Sequence, residues 1–400
     1  MSFLLLSCGQ TIQSHSAMNV VEETEEAAIE QAPILPGAER LDEYLPLIEG
    51  KRVAIVANQT SMVDRTHLVD TLMALGVDIA HVYAPEHGFR GDKDAGEHVT
   101  DEKDFKTGLD IFSLHGSSKK PRASSLEAVD VVIFDIQDVG VRFYTYLSTL
   151  HYVMEACAEN GVKLIVLDRP NPNGNYIDGP VLEMKSSSFI GLHPVPVVYG
   201  MSIGEYAKMI NGEGWLKRGV EVELTVVPCL NYSHVMDYML PTAPSPNLPN
   251  QASIYLYPSL ALFEGTVVSI GRGTDHPFEI VGHPLFGLGS YGFTPEPNEG
   301  ASKPKLEGEQ CFGQFLGPER ADLVHQSGQL DLEFLLEYYT FLKDKTVFFN
   351  KDGFFDLLAG TDVLRNQITE GIPEDEIRNS WQDDLEVFKT IRAKYLIYQD

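Results

Sequence analysis

Ile79-Ala80-His81-Val82-Tyr83-Ala84-Pro85-Glu86-His87-Gly88-Phe89-Arg90-Gly91 joins an apolar run to a polar turn, and its reading decides the fold. Ile79–Ala84 reads as a buried strand. At its carboxyl end the chain presents a carboxylate, an imidazole, glycines and a guanidinium. Open parallel sheets bind ligands outside the carboxyl ends of their strands, so polar chemistry at this spot suggests a catalytic edge. A structural alternative is a capped turn in which Glu86 pairs with Arg90. Both readings stand for the segment taken alone, because a motif acquires meaning from its context.

The context is an alternation of strands and helices. Apolar runs at Arg52–Ala57, Leu109–Leu114, Val131–Ile136, Lys163–Leu167, Pro194–Val198 and Glu221–Val227 read as further strands. Most are near-continuous, as expected for strands covered on both faces. Helices are expected at His67–Leu75, Tyr144–Asn160 and Ser202–Gly212. In the second, Leu147, Leu150, Met154 and Cys157 recur at helical spacing and Gly161 supplies the stop. Ser202 and Glu205 form a capping-box signature for the third. This alternation implies βαβ units and a parallel sheet. The fold class is therefore α/β: a Rossmann-like, mostly parallel sheet domain and a second, smaller α+β domain, with the active cleft between them. The expected division is 1–40 for a signal remnant and tether, 41–228 for the Rossmann-like catalytic domain and 229–400 for the auxiliary domain. The proline-rich run Pro241–Pro249 reads as extended, and helices are expected over Leu330–Tyr339 and Ser380–Tyr398.

Charge excludes several functions. Lys+Arg total 30 against 58 Asp+Glu, a formal net of −28, which argues against nucleic acid and against electrostatic docking on anionic lipid. An anionic substrate needs a local arginine to override this field. Beyond Cys8, the cysteines Cys157, Cys229 and Cys311 show no metal or redox spacing and are expected to be buried. No HExxH, GxSxG or GxGxxG pattern appears, so no metal, serine nucleophile or dinucleotide is indicated and no cofactor is expected. Phe3-Leu4-Leu5-Leu6-Ser7-Cys8 resembles a bacterial lipobox. Cys8 is the expected lipidation site, the natural start is expected upstream, and an exported, membrane-anchored protein of the periplasm or cell envelope is expected.

Polar residues recur at the predicted strand ends: Asn58; Glu86, His87 and Arg90; Asp135, Gln137, Asp138, Arg142 and Tyr144; Asp168, Arg169 and Asn171. The second domain adds Glu264, Arg272 and Asp275. Carboxylates, amides, arginines and aromatics in one cleft suit sugar cleavage, since most glycosidases use two carboxyl groups flanking the scissile bond. Glu264 follows the apolar Leu260–Phe263, where desolvation can raise a carboxyl pKa. The glycines flanking Arg272 suggest a backbone that passes close to a ligand. Asp135 and Asp168 also read as caps or turn formers.

Four long motifs carry a resemblance: Pro85–Gly91, Phe134–Tyr146, Asp168–Pro172, and Phe263–Thr266 with Gly271–Asp275. In order and content they resemble the exo-β-N-acetylmuramidases, glycoside hydrolases long known as a domain of unknown function. The resemblance implies removal of terminal, non-reducing β-1,4-linked N-acetylmuramic acid from peptidoglycan fragments. It makes Glu86 the leading catalytic carboxylate, with Glu264 or Asp135 as its partner. The lactyl carboxylate of the sugar calls for a cation, and Arg142, Arg169 and Arg272 are the candidates. The competing reading is a non-catalytic lipoprotein that binds cell-wall fragments.

Overall fold

The computed structural model describes residues 32–90, 101–116 and 118–400. Cys8, the acidic run Glu22–Glu26 and Gly91 lie outside the described residues. Seven strands form the central sheet: β1 (Arg52–Ala57), β2 (Asp78–Ala84), β3 (Glu102–Lys103), β4 (Asp110–Ser113), β5 (Val131–Asp135), β6 (Lys163–Leu167) and β7 (Leu224–Val227). Their order is β3-β4-β2-β1-β5-β6-β7, parallel throughout except for β3 against β4. The sheet is covered on both faces, which explains the unbroken apolar runs. In β1, Ala54 and Val56 join one apolar cluster while Val53, Ile55 and Ala57 join the other.

Strand order reverses at β1, with β2 on one side and β5 on the other. That switch point opens a crevice at the carboxyl ends. Helix Tyr146–Asn160 begins at this edge, buries most of its length and stops at Gly161 in the left-handed region. Helix Ile203–Gly212 starts with the expected capping box between Ser202 and Glu205. Its N-terminus also meets the end of β6: Ser202 Oγ donates to Asp168 Oδ2 (2.6 Å) and Gly204 N–H to Asp168 Oδ1 (2.7 Å).

The expected strand Pro194–Val198 does not form. Pro194 and Pro196 lack N–H donors and cannot sustain a ladder. The segment instead makes isolated bridges from Val198 to Val141 and to Asp178.

The smaller C-terminal region begins with helix Gln251–Leu260, which runs into the 3₁₀ turn Ala261–Gly265. An antiparallel sheet of β8 (Ile280–His283), β9 (Tyr291–Phe293) and β10 (Cys311–Phe315) follows, with β10 central. Helices Glu333–Leu342 and Gln382–Arg392 occupy the expected places with shifted ends. The last one stops early because the residues beyond it are captured elsewhere. Ile397 N–H donates to Glu205 Oε1 (2.7 Å) and Tyr398 O–H to Asp168 Oδ2 (2.6 Å). The apolar core is shared between the regions: Val132 and Phe134 belong to the same cluster as Tyr257, Phe263 and Phe355. The described part of Ile34–Asp400 lies within one compact unit. Cys157, Cys229 and Cys311 are free and buried.

Ser202→Ala removes a cap and leaves a buried Asp168 oxygen short of a donor. It is expected to cost about 1–3 kcal/mol, read as a lower urea midpoint at unchanged m-value.

Candidate active site

A cavity of about 180 Å³ lies at the carboxyl edge and takes its walls from both regions of the chain. Pro85 to Gly88 form a tight turn, closed by Gly88 N–H on Pro85 O (3.1 Å). His87 occupies its third position at φ 71°, as a type II turn requires of that residue. Histidine tolerates this left-handed conformation better than bulky or β-branched residues do. The turn brings Glu86 and His87 to the cavity. Thr145, just before helix Tyr146–Asn160, donates its hydroxyl to Glu86 Oε2 (2.7 Å).

An aromatic cluster forms the next wall. Tyr257 meets Tyr144 at 5.8 Å and Phe278 at 4.9 Å between ring centroids, both edge-to-face. Tyr144 O–H donates to Pro244 O (2.9 Å), so the proline-rich run becomes part of the lining, with Ser245 and Asn247. Burial raises the Tyr146 hydroxyl far above its ordinary value, and the Glu86 charge adds to the effect.

Glu264 and Arg272 also line the cavity. Arg272 Nε and Nη2 lie 2.7 and 2.6 Å from Glu264 Oε1, and about a quarter of each side chain remains accessible (22% and 25%). The apolar Phe263 is present, but the Glu264 carboxylate turns to the guanidinium rather than to an apolar wall. Burial opposes the Arg272 charge. Glu264, Tyr257 and Glu86 outweigh it and hold the group above its usual range. The flanking glycines serve packing rather than ligand approach. A Cβ on Gly271 would fall 2.4 Å from His276 O, and one on Gly273 2.6 Å from Glu296 O.

Most other residues singled out in the sequence support the edge from beneath. Asp135 is fully buried and is clamped by Arg169, with Oδ1–Nε 2.6 Å and Oδ2–Nη2 2.9 Å. Burial raises its carboxyl while Arg169 pulls it back. Neither residue lines the cavity, so the structure offers no contact for Asp135 as a second carboxylate or for Arg169 as a substrate cation. Arg142 is likewise spent, donating to the carbonyls of Pro180, Val195 and Leu358, and burial lowers it to about 9. Asn58 Nδ2 holds the Tyr146 hydroxyl (2.9 Å). Gln137 donates to Asp138 O and Pro170 O, and Asn171 to Met201 O. Asp138 accepts from Tyr199 O–H and Gly140 N–H, and burial lifts it to about 7. Asp168, lifted to about 6 by burial, caps the helix described above. Arg90 pairs with Asp104 and Asp70, not with Glu86, and stacks on Phe89. Asp275 is exposed and lies outside the lining.

Several lining or supporting residues escaped sequence reasoning, Tyr257 and Ile190 among them. Thr145 lies inside the Phe134–Tyr146 motif, with no role assigned to it from sequence. Phe354 and Leu358 reach the cavity from a distant helix with no local signal. Lys305 donates to carbonyls of the turn that carries Glu264. Among the described residues, no cluster of three or more His, Cys, Asp or Glu could hold a metal, and no helix is long and apolar enough to cross a membrane. A larger cavity of about 690 Å³ opens beside Lys51 and Asp78, at the amino ends of β1 and β2, on the side where such sheets do not place their chemistry.

A carboxyl group with a hydroxyl partner, an aromatic wall and a second carboxylate paired to a guanidinium suit proton transfer to a glycosidic oxygen, ring stacking and anion binding. Fold and site together define the class: a glycosidase on a two-domain α/β frame. The chain belongs to the exo-β-N-acetylmuramidase NamZ family, with residues 53–252 matching its N-terminal model and 255–398 its C-terminal model. It is 38% identical over 391 residues to the peptidoglycan β-N-acetylmuramidase NamZ of Bacillus subtilis (strain 168), covering 90% of this chain and 89% of that relative. Two solved structures of DUF1343 family proteins from Bacteroides fragilis NCTC 9343 are similar. One has TM-score 0.86 and 44% identity over 92% of this chain and 100% of that one. The other has TM-score 0.76 and 29% identity over 92% and 99%.

Removing Asp135 tests its structural assignment. Asp135→Ala strands the buried Arg169 charge and is expected to cost about 3–5 kcal/mol in denaturant unfolding.

Proposed function

We propose that this protein is an exo-acting glycosidase that releases terminal, non-reducing β-1,4-linked N-acetylmuramic acid from peptidoglycan fragments. The observation that carries the reading is the placement of Glu86 at the cavity, held by Thr145 and facing a lining that includes the Glu264–Arg272 pair. Glu86 acts as the acid/base group and Glu264 is the second carboxylate. Arg272 is the candidate left for the lactyl carboxylate, since Arg142 and Arg169 are committed elsewhere. Tyr144 and Tyr257 offer ring surfaces to the sugar. We extend the proposal to export and lipid attachment at Cys8, which the Leu4–Cys8 pattern supports.

Incubation with N-acetylmuramic acid β-1,4-linked to N-acetylglucosamine, followed by mass analysis, is expected to give both free sugars. Tight binding without release would favour a carrier. Glu86→Gln is expected to fold normally and to lose about 10²–10⁴-fold in kcat on a chromogenic β-N-acetylmuramide. Full activity in that variant would remove Glu86 from the chemistry.

A further inference from the structure

We propose that Lys305 is a positioning residue that fixes the Glu264–Arg272 pair in the cavity wall, an inference that rests on the glycosidase reading of this cavity. Lys305 Nζ donates to the carbonyl oxygens of Phe263 (2.9 Å), Glu264 (3.2 Å) and Thr266. These oxygens close the 3₁₀ turn on which Glu264 stands. Carbonyls at the end of a helical turn carry partial negative charge, so an ammonium there is favoured. An ammonium has three N–H donors, and here three acceptors are within reach. Asn350 Nδ2 adds a second donor to Glu264 O (3.2 Å).

The same short segment also holds the other partner. A Cβ on Gly273 would lie 2.7 Å from Pro304 Cβ, and Glu296 N–H donates to Gly273 O (2.8 Å). Pro304 therefore packs against Gly273, the residue after Arg272, while Lys305 fastens the turn of Glu264. Two consecutive residues set the relative position of a carboxylate and a guanidinium that are eight residues apart in sequence.

The clasp has a pH limit. The charged groups facing Lys305 are Glu264 from the turn, Arg272 from the glycine loop and Asp352 from the segment before helix Phe354–Ala359. Burial pushes the amine down to about 8, with Glu264 opposing and Arg272 adding to the shift. Loss of the proton leaves two N–H donors for three oxygens, so one carbonyl loses its bond to Lys305 and the clasp on the turn weakens. Activity is lost as pH rises through about 8. The stability contribution of this group has the opposite sign. Its folded pKa is below the unfolded value, so the unfolded chain binds more protons in between and stability rises with pH across that window. A merely structural lysine would not produce an activity limb running against its own stability contribution.

The test is the pH profile of kcat/KM on a chromogenic β-N-acetylmuramide for wild type, Lys305→Arg and Lys305→Gln, with folding checked by circular dichroism. Wild type is expected to show an alkaline limb near about 8. Lys305→Arg is expected to move that limb to higher pH. Lys305→Gln is expected to lose about 10–100-fold at neutral pH, because a catalytic group displaced by a fraction of an ångström loses much of its effect. A Gln variant within about twofold of wild type, or an Arg variant with an unmoved limb, overturns the role of Lys305. An inactive wild type would instead remove the glycosidase reading and this inference with it.

Discussion

One buried ion pair organises the catalytic edge. Arg169, just beyond β6, grips both oxygens of Asp135 at the end of β5, and its Nη2 also donates to Met62 O in the segment after β1 (3.1 Å). Three strand ends are thereby tied at the point where the sheet reverses its order. Removing two charges from water is expensive, and such a pair is tolerated only when its geometry and remaining hydrogen bonds are good. Its return here is specificity of position. Most buried polar groups at this edge find partners there, as interiors demand, while Asp138 Oδ1, Arg142 Nε and Asn173 Oδ1 have none among the described residues. The Glu86 turn stands on this edge at the cavity.

The fold was legible because its signals are local. Unbroken apolar runs, the Ser202–Glu205 box and the glycine after Asn160 each act within a few residues, and the sheet and helices follow them. Pro194–Val198 was misread because its alternating valines suggested a strand while its prolines denied the ladder. At the site, residue types and their gathering on one edge were legible, but accessibility was not. Asp135, Asp168 and Glu86 look alike as carboxylates after strands. What separates them is tertiary: Asp135 meets an arginine 34 positions later and Asp168 a tyrosine 230 positions later. Phe354, Leu358 and Lys305 carry no local mark of their destination.

The cavity sets one guanidinium against the global charge. A chain with a formal net of −28 repels anions at long range, yet the cavity places a guanidinium beside its carboxylates. Within a Debye length, local geometry outweighs net charge. In the proposed function, such a site selects an anionic sugar by contact rather than by steering.

The capture of residues 397 and 398 makes the end of β6 and the start of helix Ile203–Gly212 depend on residues far away in sequence. Asp168 and Glu205 find some of their donors 192 to 230 positions later in the chain. Without residues 397 and 398, Asp168 keeps its bonds from Ser202 and Gly204, and Glu205 those from Ser202 and His234. Domains generally mature as units, N-terminal first. Here the edge at Asp168 is complete only once its distant partner Tyr398 has docked.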